Sequence, residues 1–296
     1  MRIGITGASG MLGGVLATHL SKTHEIFATS RSKGVESKNI KWNCFDLTDI
    51  VLLNKWLGKT RPDMVIHCAA IINVDLCEES FDLAMQLHFE TTKVIASYLG
   101  RNNGKLIYIS TDSVFDGEKQ GAYSESDLVK PLNIYARTKF MGEKPVQSMC
   151  NGLILRTNII GWTKEGSTSF VEWMLKGLTN NTPLNLFYDV YFSPLSVYDL
   201  SLIVENIIKK PIFGLYHCAS NDSISKYDFG KEMAKIFNLP SLNINKVSVN
   251  SADFKAKRPK NMTLNIEKIS LALEYDFPSA IDAIKSMKRQ YNNENH

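Results

Sequence analysis

A tyrosine and a lysine, Tyr135 and Lys139, stand four residues apart near the middle of the chain. Side chains at that spacing share one face of a helix. An unperturbed tyrosine titrates near pH ~10, which makes it a poor acid near neutrality, but a neighbouring ammonium lowers its pKa. Together with the strand-like run that ends in Ser110–Thr111 and a glycine turn at the start of the chain, the pair predicts a hydride-transfer enzyme.

The same spacing recurs at Tyr227 and Lys231, so spacing alone does not identify the site. Tyr227 belongs to a set of apolar residues at helical spacing, which is typical of a stripe that faces a core. Tyr135 instead follows a polar segment, residues 120–134, which comes after the apolar run Lys105–Ser110. Strand, loop and helix is the order that a site at the edge of a sheet requires.

Short apolar runs alternate with amphipathic stretches through the first half of the chain. This alternation predicts an α/β fold of the Rossmann type, which is a doubly wound parallel sheet with helices on both faces. The predicted strands are residues 2–6, 25–29, 64–68, 105–110 and 152–156.

The alternation weakens after Arg156, and we expect the glycine-rich and aromatic residues that follow to face a substrate. A helix capped by Ser196 and a strand-like run at 214–218 return the chain to the sheet. Further helices are predicted at 225–237 and 279–291, before a frayed tail at 292–296. The expected division is an NADP-binding Rossmann domain, residues 1–160 with 195–222, and a smaller mixed α/β substrate-binding lobe on the C-terminal side, residues 161–194 and 223–296.

Glycines at positions 7, 10 and 13 directly follow the first predicted strand and open a predicted helix. In that context they let backbone amides approach a pyrophosphate at the positive end of the helix. The spacing GxxGxxG differs from the GxGxxG of most dinucleotide folds, and a tight turn that needs small residues is the alternative. We expect a dinucleotide site formed by Gly7, Gly10, Met11, Leu12 and Gly13.

The second predicted strand is followed by Arg31 and by no acidic residue that would bind a ribose 2′-hydroxyl. A guanidinium there can neutralise a 2′-phosphate. The sequence therefore predicts NADPH as the cofactor, with NADH as the alternative, unless Arg31 is only a solvent-exposed loop residue. Asp46 and Leu47, after the third strand, are placed for the adenine edge, although Asp46 could equally cap a helix.

The composition of the chain excludes several classes of protein. At 296 residues and 44% hydrophobic content it can bury a large core. A net charge of +4 forms no block, which argues against nucleic acid or membrane partners. Five scattered cysteines, no secretory signal and no membrane-length apolar window favour the cytoplasm. No metal site is predicted, and the basic run at 255–260 is either a solvated or an anion-binding loop.

Several blocks of the chain, in order, match a known family. They are His67–Ala70, Asn73–Asp75, Ser110–Gly117, Pro131–Tyr135, Lys139–Glu143, Leu155–Thr157, Tyr216–His217 and Arg258–Asn261. The chain resembles the extended short-chain dehydrogenase/reductases, and within them the reductases of nucleotide-linked 4-keto sugars. The resemblance implies NADPH-dependent reduction of the 4-keto group of a nucleotide-activated 6-deoxyhexose in deoxysugar biosynthesis. A homodimer is the expectation that comes with it.

The resemblance also implies roles for individual residues. Thr111 would hydrogen-bond the substrate carbonyl, Tyr135 would protonate the incipient alkoxide, and Lys139 would hold the nicotinamide ribose and lower the pKa of the tyrosine. Ala69 and Ala70 would line the cofactor trough. The expected substrate contacts are Thr111, Asn73, Val74, Asp75 and, at the diphosphate, Arg258, unless the last is a surface residue of a basic loop.

The chain departs from the family pattern at several positions. Ser113 replaces a usual tyrosine, and Ala136 replaces a glycine. His88 and Thr91 replace an asparagine and a glycine, and we expect His88 to be a helix residue with one polar contact. Asn158 stands where a tryptophan usually lies near the sugar. These departures leave the identity of the sugar open.

Two other functions stay open. A nucleotide-sugar epimerase uses the same fold and recycles its cofactor, whereas a dehydratase needs an acid at Ser113. A non-catalytic NADP-binding regulatory subunit would keep the fold without the chemistry. The intact set of Thr111, Tyr135 and Lys139 argues against a regulatory subunit.

Overall fold

The computed structural model describes residues 1–163 and 168–294 of the chain. Its first half alternates strands and helices, and every predicted strand is present to within one residue at either end. The elements are β1 (Arg2–Thr6), α1 (Met11–Leu20), β2 (Glu25–Ser30), β3 (Ile40–Cys44), α2 (Ile50–Thr60), β4 (Met64–His67), α3 (Val74–Glu79), α4 (Phe81–Met85), α5 (Thr91–Arg101), β5 (Lys105–Thr111), α6 (Ile134–Gln147) and β6 (Gly152–Thr157).

The second half has shorter strands between its helices. The elements are β7 (Ile159–Ile160), α7 (Phe170–Thr179), β8 (Leu184–Phe187), β9 (Tyr191–Phe192), β10 (Leu195–Ser196), α8 (Val197–Lys209), β11 (Gly214–His217), β12 (Ile224–Ser225), α9 (Lys226–Phe237), β13 (Ile244–Val247), β14 (Asn261–Met262), α10 (Glu267–Leu273) and α11 (Ala280–Glu294). A π-helical turn, Gln86–Glu90, joins α4 to α5, and 3₁₀ turns follow β5 and β13. No helix in the described ranges is long and apolar enough to cross a membrane.

Seven parallel strands form the main sheet in the order β11-β6-β5-β4-β1-β2-β3. The chain runs outward from β1 to β3 and then returns beside β1 as β4, so the topological switch point lies between β1 and β4. Open α/β sheets bind their ligands at the carboxyl edge near such a point. The predicted Rossmann-type sheet is confirmed, including the return of residues 214–217 as the edge strand β11.

Helices cover both faces of this sheet. Ile3 and Ile5 of β1 belong to a core cluster with residues of α1, α8 and α10. On the opposite face, Val65 of β4 packs with residues of α2 and α5. Gly4 lets α2 approach closely, because a Cβ there would lie 2.8 Å from the ring of Trp56. Strands covered on both faces are apolar along their whole length, which explains the continuous apolar runs in the sequence.

A second core lies in the C-terminal half. A three-stranded sheet, β12-β9-β14, and the pair β13-β8 border it. Its buried residues come mainly from α7, β8, α9 and α11, and include Val171, Met174, Leu184, Leu186, Phe229, Met233, Ala283 and Met287.

The structure corrects the sequence prediction in this half. α7 lies in the segment after Arg156 where the alternation weakens and where no helix is predicted, and residues 164–167 of that segment lie outside the described residues. Ser169 and Glu172 form a capping box at its start, and the sequence contains this signal. Helix α10 is not predicted from the sequence either, and its Ile269 packs into the core of the main sheet and not into the second core. α11 continues to Glu294, so the predicted tail is helical up to that residue, and residues 295–296 lie outside the described residues.

A buried ion pair ties β5 and β6 to α6. Arg156 Nε and Nη2 donate to the two carboxylate oxygens of Glu143 at 2.9 and 2.8 Å. Ser110 Oγ donates to the same carboxylate at 2.6 Å. Both charged side chains are almost fully buried, so each depends on the other for compensation of its charge.

We expect Glu143→Ala to lower the free energy of unfolding by about 3–5 kcal/mol, because it leaves the Arg156 guanidinium buried without a counter-charge. Urea denaturation followed by circular dichroism measures this loss. Glu36→Ala is the matched control, since its pair with Lys33 is exposed on both sides and contributes only ~0–1 kcal/mol. Equal losses in the two variants would contradict the prediction.

Candidate active site

The turn between β1 and α1 depends on glycine at two positions. Gly7 has a φ of 64°, in the left-handed region that favours glycine, and a Cβ there would lie 2.8 Å from the Cα of Ala69. A Cβ on Gly13 would lie 2.3 Å from the carbonyl oxygen of Gly7. Gly10 precedes α1 and provides no side-chain cap. The amides of the first helical turn are therefore left for an external acceptor, and an anion fits there.

Buried polar contacts join the ends of β1 and β4 behind this turn. Thr6 Oγ1 and His67 Nδ1 lie 2.6 Å apart, and the Ala69 amide donates to Thr6 Oγ1 at 3.3 Å. Burial, and to a smaller extent the charge of Lys139, lowers the pKa of His67 to about 3. The ring is therefore neutral and fixes the strand ends. Ala69 and Ala70 follow at the carboxyl edge of the sheet, both half-buried.

The residues expected on the adenosine side lie after β2 and β3. Arg31 is exposed one residue beyond β2. Asp46 Oδ1 accepts from the amide and the hydroxyl of Thr48 at 2.9 and 2.7 Å, and these bonds lower the pKa of Asp46, with a smaller effect from Arg31. Asp49 caps α2, so the alternative of Asp46 as the helix cap is wrong. The side chain of Leu47 is buried in the core.

Thr111 and Tyr135 meet at the carboxyl end of β5. The Thr111 hydroxyl acts on the phenol of Tyr135 and donates to Asp112 Oδ1 at 3.1 Å. It accepts from the amide of Ser113, as a strand-end hydroxyl does. Burial raises the pKa of Tyr135 to about 12, more than the nearby Thr111 hydroxyl lowers it. The phenol is therefore protonated at neutral pH.

Lys139 reaches the same strand one turn further along α6. Its Nζ donates to the carbonyl oxygen of Ile109 at 2.6 Å and lies 4.2 Å from the ring centroid of Tyr108. Burial lowers the pKa of Lys139 to about 7, against the opposing charge of Glu143. The prediction that Lys139 lowers the pKa of Tyr135 is wrong for this structure, because the ammonium is directed at β5 and burial dominates the phenol.

His88 lies in the π-helical turn and makes two polar contacts where one was expected. Its Nε2 accepts from the Ile71 amide at 2.9 Å, and its Nδ1 lies 2.8 Å from Thr138 Oγ1. Burial lowers its pKa to about 2, so the neutral ring carries its proton on Nδ1 and donates to Thr138. The ring also meets Tyr135 edge-on, with centroids 5.9 Å apart. His88 therefore positions the residues after β4 against α6.

The expected substrate contacts form two groups. Asn73 caps α3 through its Oδ1, and Val74 is the first residue of that helix. Asp75 accepts from the Ala256 amide at 3.2 Å and from Arg258 Nη2 at 3.4 Å. The structure therefore brings Asp75 and Arg258 together and ties the basic loop to α3.

Two charged residues near the end of β5 are not predicted from the sequence: Asp112, which follows Thr111, and Lys226, whose charge acts on Asp112. Asp112 is buried, and Asn158 Nδ2 donates to its Oδ2 at 2.5 Å. Burial raises the pKa of Asp112 and lowers that of Lys226 to about 7, while each charge opposes the shift of the other. The Ser-Thr-Asp triplet could have identified Asp112. No local signal marks Lys226, because only the pairing of β12 with β9 brings it here.

Three features together define a class of protein. They are a parallel sheet, a glycine turn after its first strand, and a threonine at the end of β5 that faces a tyrosine and a lysine of α6. That class is the extended short-chain dehydrogenases/reductases, which are NAD(P)-dependent oxidoreductases. The family model described as the RmlD substrate binding domain matches residues 1–293. The chain belongs to this family.

Named relatives cover nearly the whole chain. It is 30% identical to the dTDP-4-dehydrorhamnose reductase of Aggregatibacter actinomycetemcomitans, with 92% of each chain covered. It is 29% identical to methionine adenosyltransferase 2 subunit beta of Rattus norvegicus, over 90% of this chain and 81% of the relative. The solved dTDP-4-dehydrorhamnose reductase of Bacillus anthracis, in complex with NADP, superposes with a TM-score of 0.84 at 27% identity, covering 98% of this chain and 99% of that one.

We expect the affinity for NADP⁺ to fall as the pH rises through about 7, the pKa of Lys139. Below that pH the ammonium makes charge-assisted hydrogen bonds to the nicotinamide ribose, which are roughly twice as strong as those of the neutral amine. Isothermal calorimetry between about pH 6 and pH 8.5 measures the change. The variant Lys139→Met should lose this part of the pH dependence, and identical profiles for the two proteins would refute the assignment.

Proposed function

We propose that this protein uses NADPH to reduce the 4-keto group of a nucleotide-activated 6-deoxyhexose, as a step of deoxysugar biosynthesis. The observation that carries the proposal is the convergence of Thr111, at the carboxyl end of β5, with the buried phenol of Tyr135 and the buried ammonium of Lys139, which is bonded to the Ile109 carbonyl of the same strand. The relatives from Aggregatibacter actinomycetemcomitans and Bacillus anthracis, both called dTDP-4-dehydrorhamnose reductase, support the reaction.

The glycine turn fits the pyrophosphate of a dinucleotide, because Gly7 and Gly13 keep the backbone free of side chains beside an uncapped helix end. In this proposal each part of the cofactor has its own contacts. They are Gly7, Gly10, Met11, Leu12 and Gly13 at the pyrophosphate, Arg31 at the 2′-phosphate, Asp46 and Leu47 on the adenine side, Ala69 and Ala70 along the trough, and Tyr135 and Lys139 at the nicotinamide ribose.

In the proposed reaction, Thr111, Tyr135 and Lys139 have different roles. When bound, the reduced nicotinamide supplies the hydride. Thr111 exchanges its hydrogen bond to Asp112 for one to the substrate carbonyl oxygen, and Tyr135 gives its phenolic proton to that oxygen as charge develops there. The raised pKa of Tyr135 keeps the proton on the phenol until then. Lys139, anchored on Ile109, donates to the ribose hydroxyls.

The variant Tyr135→Phe should lose turnover by about 100-fold or more, the usual contribution of a positioned general acid, and should lose far less affinity for NADPH, because the other cofactor contacts stay in place. Loss of absorbance at the reduced-nicotinamide band measures turnover. The matched control is Tyr227→Phe, since Tyr227 has the same spacing to a lysine but packs against the second core. Normal turnover by Tyr135→Phe would sink the acid role.

The variant Arg31→Ala should raise the KM for NADPH by a few fold to about tenfold and leave the KM for NADH unchanged, because an exposed guanidinium contributes modestly to phosphate binding. Steady-state kinetics with both cofactors give the ratio. Lys33→Ala removes another exposed charge from the same loop and serves as the control. A KM ratio that does not move toward NADH would exclude the 2′-phosphate contact.

We also propose that the cofactor and the nucleotide sugar are bound by different regions of the chain. Residues 1–160 and 195–222 bind the cofactor, and residues 161–194 and 223–296 hold the nucleotide sugar, apart from the α10 region, which packs on the main sheet. The separate core of the second half supports this division. Asn73, Val74, Asp75, Thr111 and Arg258 are the proposed substrate contacts. The homodimer and the cytoplasmic location stay predictions.

A regulatory subunit is the second candidate, because the rat relative at 29% identity is called subunit beta of methionine adenosyltransferase 2. A protein of that kind would oxidise no NADPH with any nucleotide 4-ketosugar and would copurify with a larger enzyme. A panel of such ketosugars, followed at the nicotinamide band, separates the two candidates. Net consumption of NADPH also distinguishes a reductase from an epimerase.

A further inference from the structure

The three-stranded sheet β12-β9-β14 lies beside the end of β5 and forms a wall of the proposed substrate site. Met262, in β14, has its sulfur 3.9 Å from Ser113 Oγ. Phe192 is in β9, and Lys226 directly follows β12. The charge of Lys226 acts on Asp112, the residue after Thr111. The wall therefore faces the place where the reacting carbonyl is proposed to sit.

The ammonium of Lys226 lies between aromatic rings. Its Nζ is 3.2 Å from the ring centroid of Phe192 and 4.4 Å from that of Phe170. Ring faces attract a cation but accept no full set of hydrogen bonds. Within residues 1–163 and 168–294, no oxygen accepts a hydrogen bond from this Nζ, and Lys226 forms no direct ion pair with Asp112. The three N–H donors of this half-buried ammonium can therefore bond to an oxygen that a ligand brings in place of water.

Asp112 does not complete this arrangement, because its own oxygens are already occupied. Oδ1 accepts from the hydroxyls of Thr111 and Ser113 at 3.1 and 3.2 Å. Oδ2 accepts from Asn158 at 2.5 Å. The charge of Asp112 favours the charged form of Lys226 from a distance, and the N–H donors of the ammonium stay available to a ligand.

We propose that Lys226 binds an oxygen of the hexose ring substituents and is a specificity-determining residue of the sugar pocket. The inference rests on the proposed function and adds the contact that selects the sugar. A contact with the hexose fits better than one with the diphosphate, because the charge of Lys226 acts on Asp112, the neighbour of the carbonyl-binding Thr111. Arg258, the proposed diphosphate residue, is held at α3 by Asp75.

The test compares Lys226→Met with wild type on a dTDP-linked 4-keto-6-deoxyhexose. Loss of a charged hydrogen bond should raise KM roughly 10- to 100-fold and change kcat much less. Lys226→Arg should restore most of the affinity, and Lys226→Gln provides a second neutral variant if methionine disturbs the fold. Lys235→Met, on the exposed side of the same helix, should behave as wild type.

Calorimetry with thymidine diphosphate alone identifies the part of the substrate that Lys226 contacts. Because this ligand lacks the hexose, the Kd of thymidine diphosphate should be the same for wild type and Lys226→Met. An equal loss of affinity for the diphosphate and the nucleotide sugar, or a KM within twofold of wild type, overturns the inference. Wild-type protein that oxidises no NADPH with any ketosugar refutes the proposed reaction, and the Kd of the nucleotide sugar in the two proteins then still decides the role of Lys226.

Discussion

The arrangement of the active site depends on how one buried ammonium is stabilised. Removing a charge from water costs several kcal/mol unless nearby groups replace the water. For Lys139 these groups are the carbonyl of Ile109, the ring face of Tyr108 and the carboxylate of Glu143, which Arg156 holds in turn. Because these groups come from β5, β6 and α6, the same contacts that keep the lysine charged also fix the helix against the strand that ends in Thr111.

Close backbone packing adds to this constraint. A Cβ on Gly142 would lie 2.3 Å from both the carbonyl oxygen of His88 and the hydroxyl of Tyr108. α6 therefore packs directly against the π-helical turn and β5, and His88 links the same turn to the residues after β4. The phenol of Tyr135 is oriented by this packing and by the ring of His88, which meets it edge-on.

The sequence predicts the parts of the structure that depend on local pattern. Apolar runs locate the strands, and the order of strand, loop and helix separates Tyr135 from Tyr227. It does not predict contacts that depend on where a flexible side chain ends, so the direction of the Lys139 ammonium and the resulting pKa of Tyr135 are missed. Strands of two residues have no periodicity to detect, and for that reason the approach of Lys226 to Asp112 is invisible in the sequence.

The short strands of the second half have a consequence for how such proteins diversify. β9, β12 and β14 have two residues each, so few backbone hydrogen bonds hold the wall that carries Lys226, while the seven-stranded sheet holds the reducing side chains independently. Substitutions or insertions around the wall can accumulate without disturbing proton delivery. Under the proposed function, a change of sugar preference therefore requires the exchange of only a few wall residues and leaves Thr111, Tyr135 and Lys139 in place.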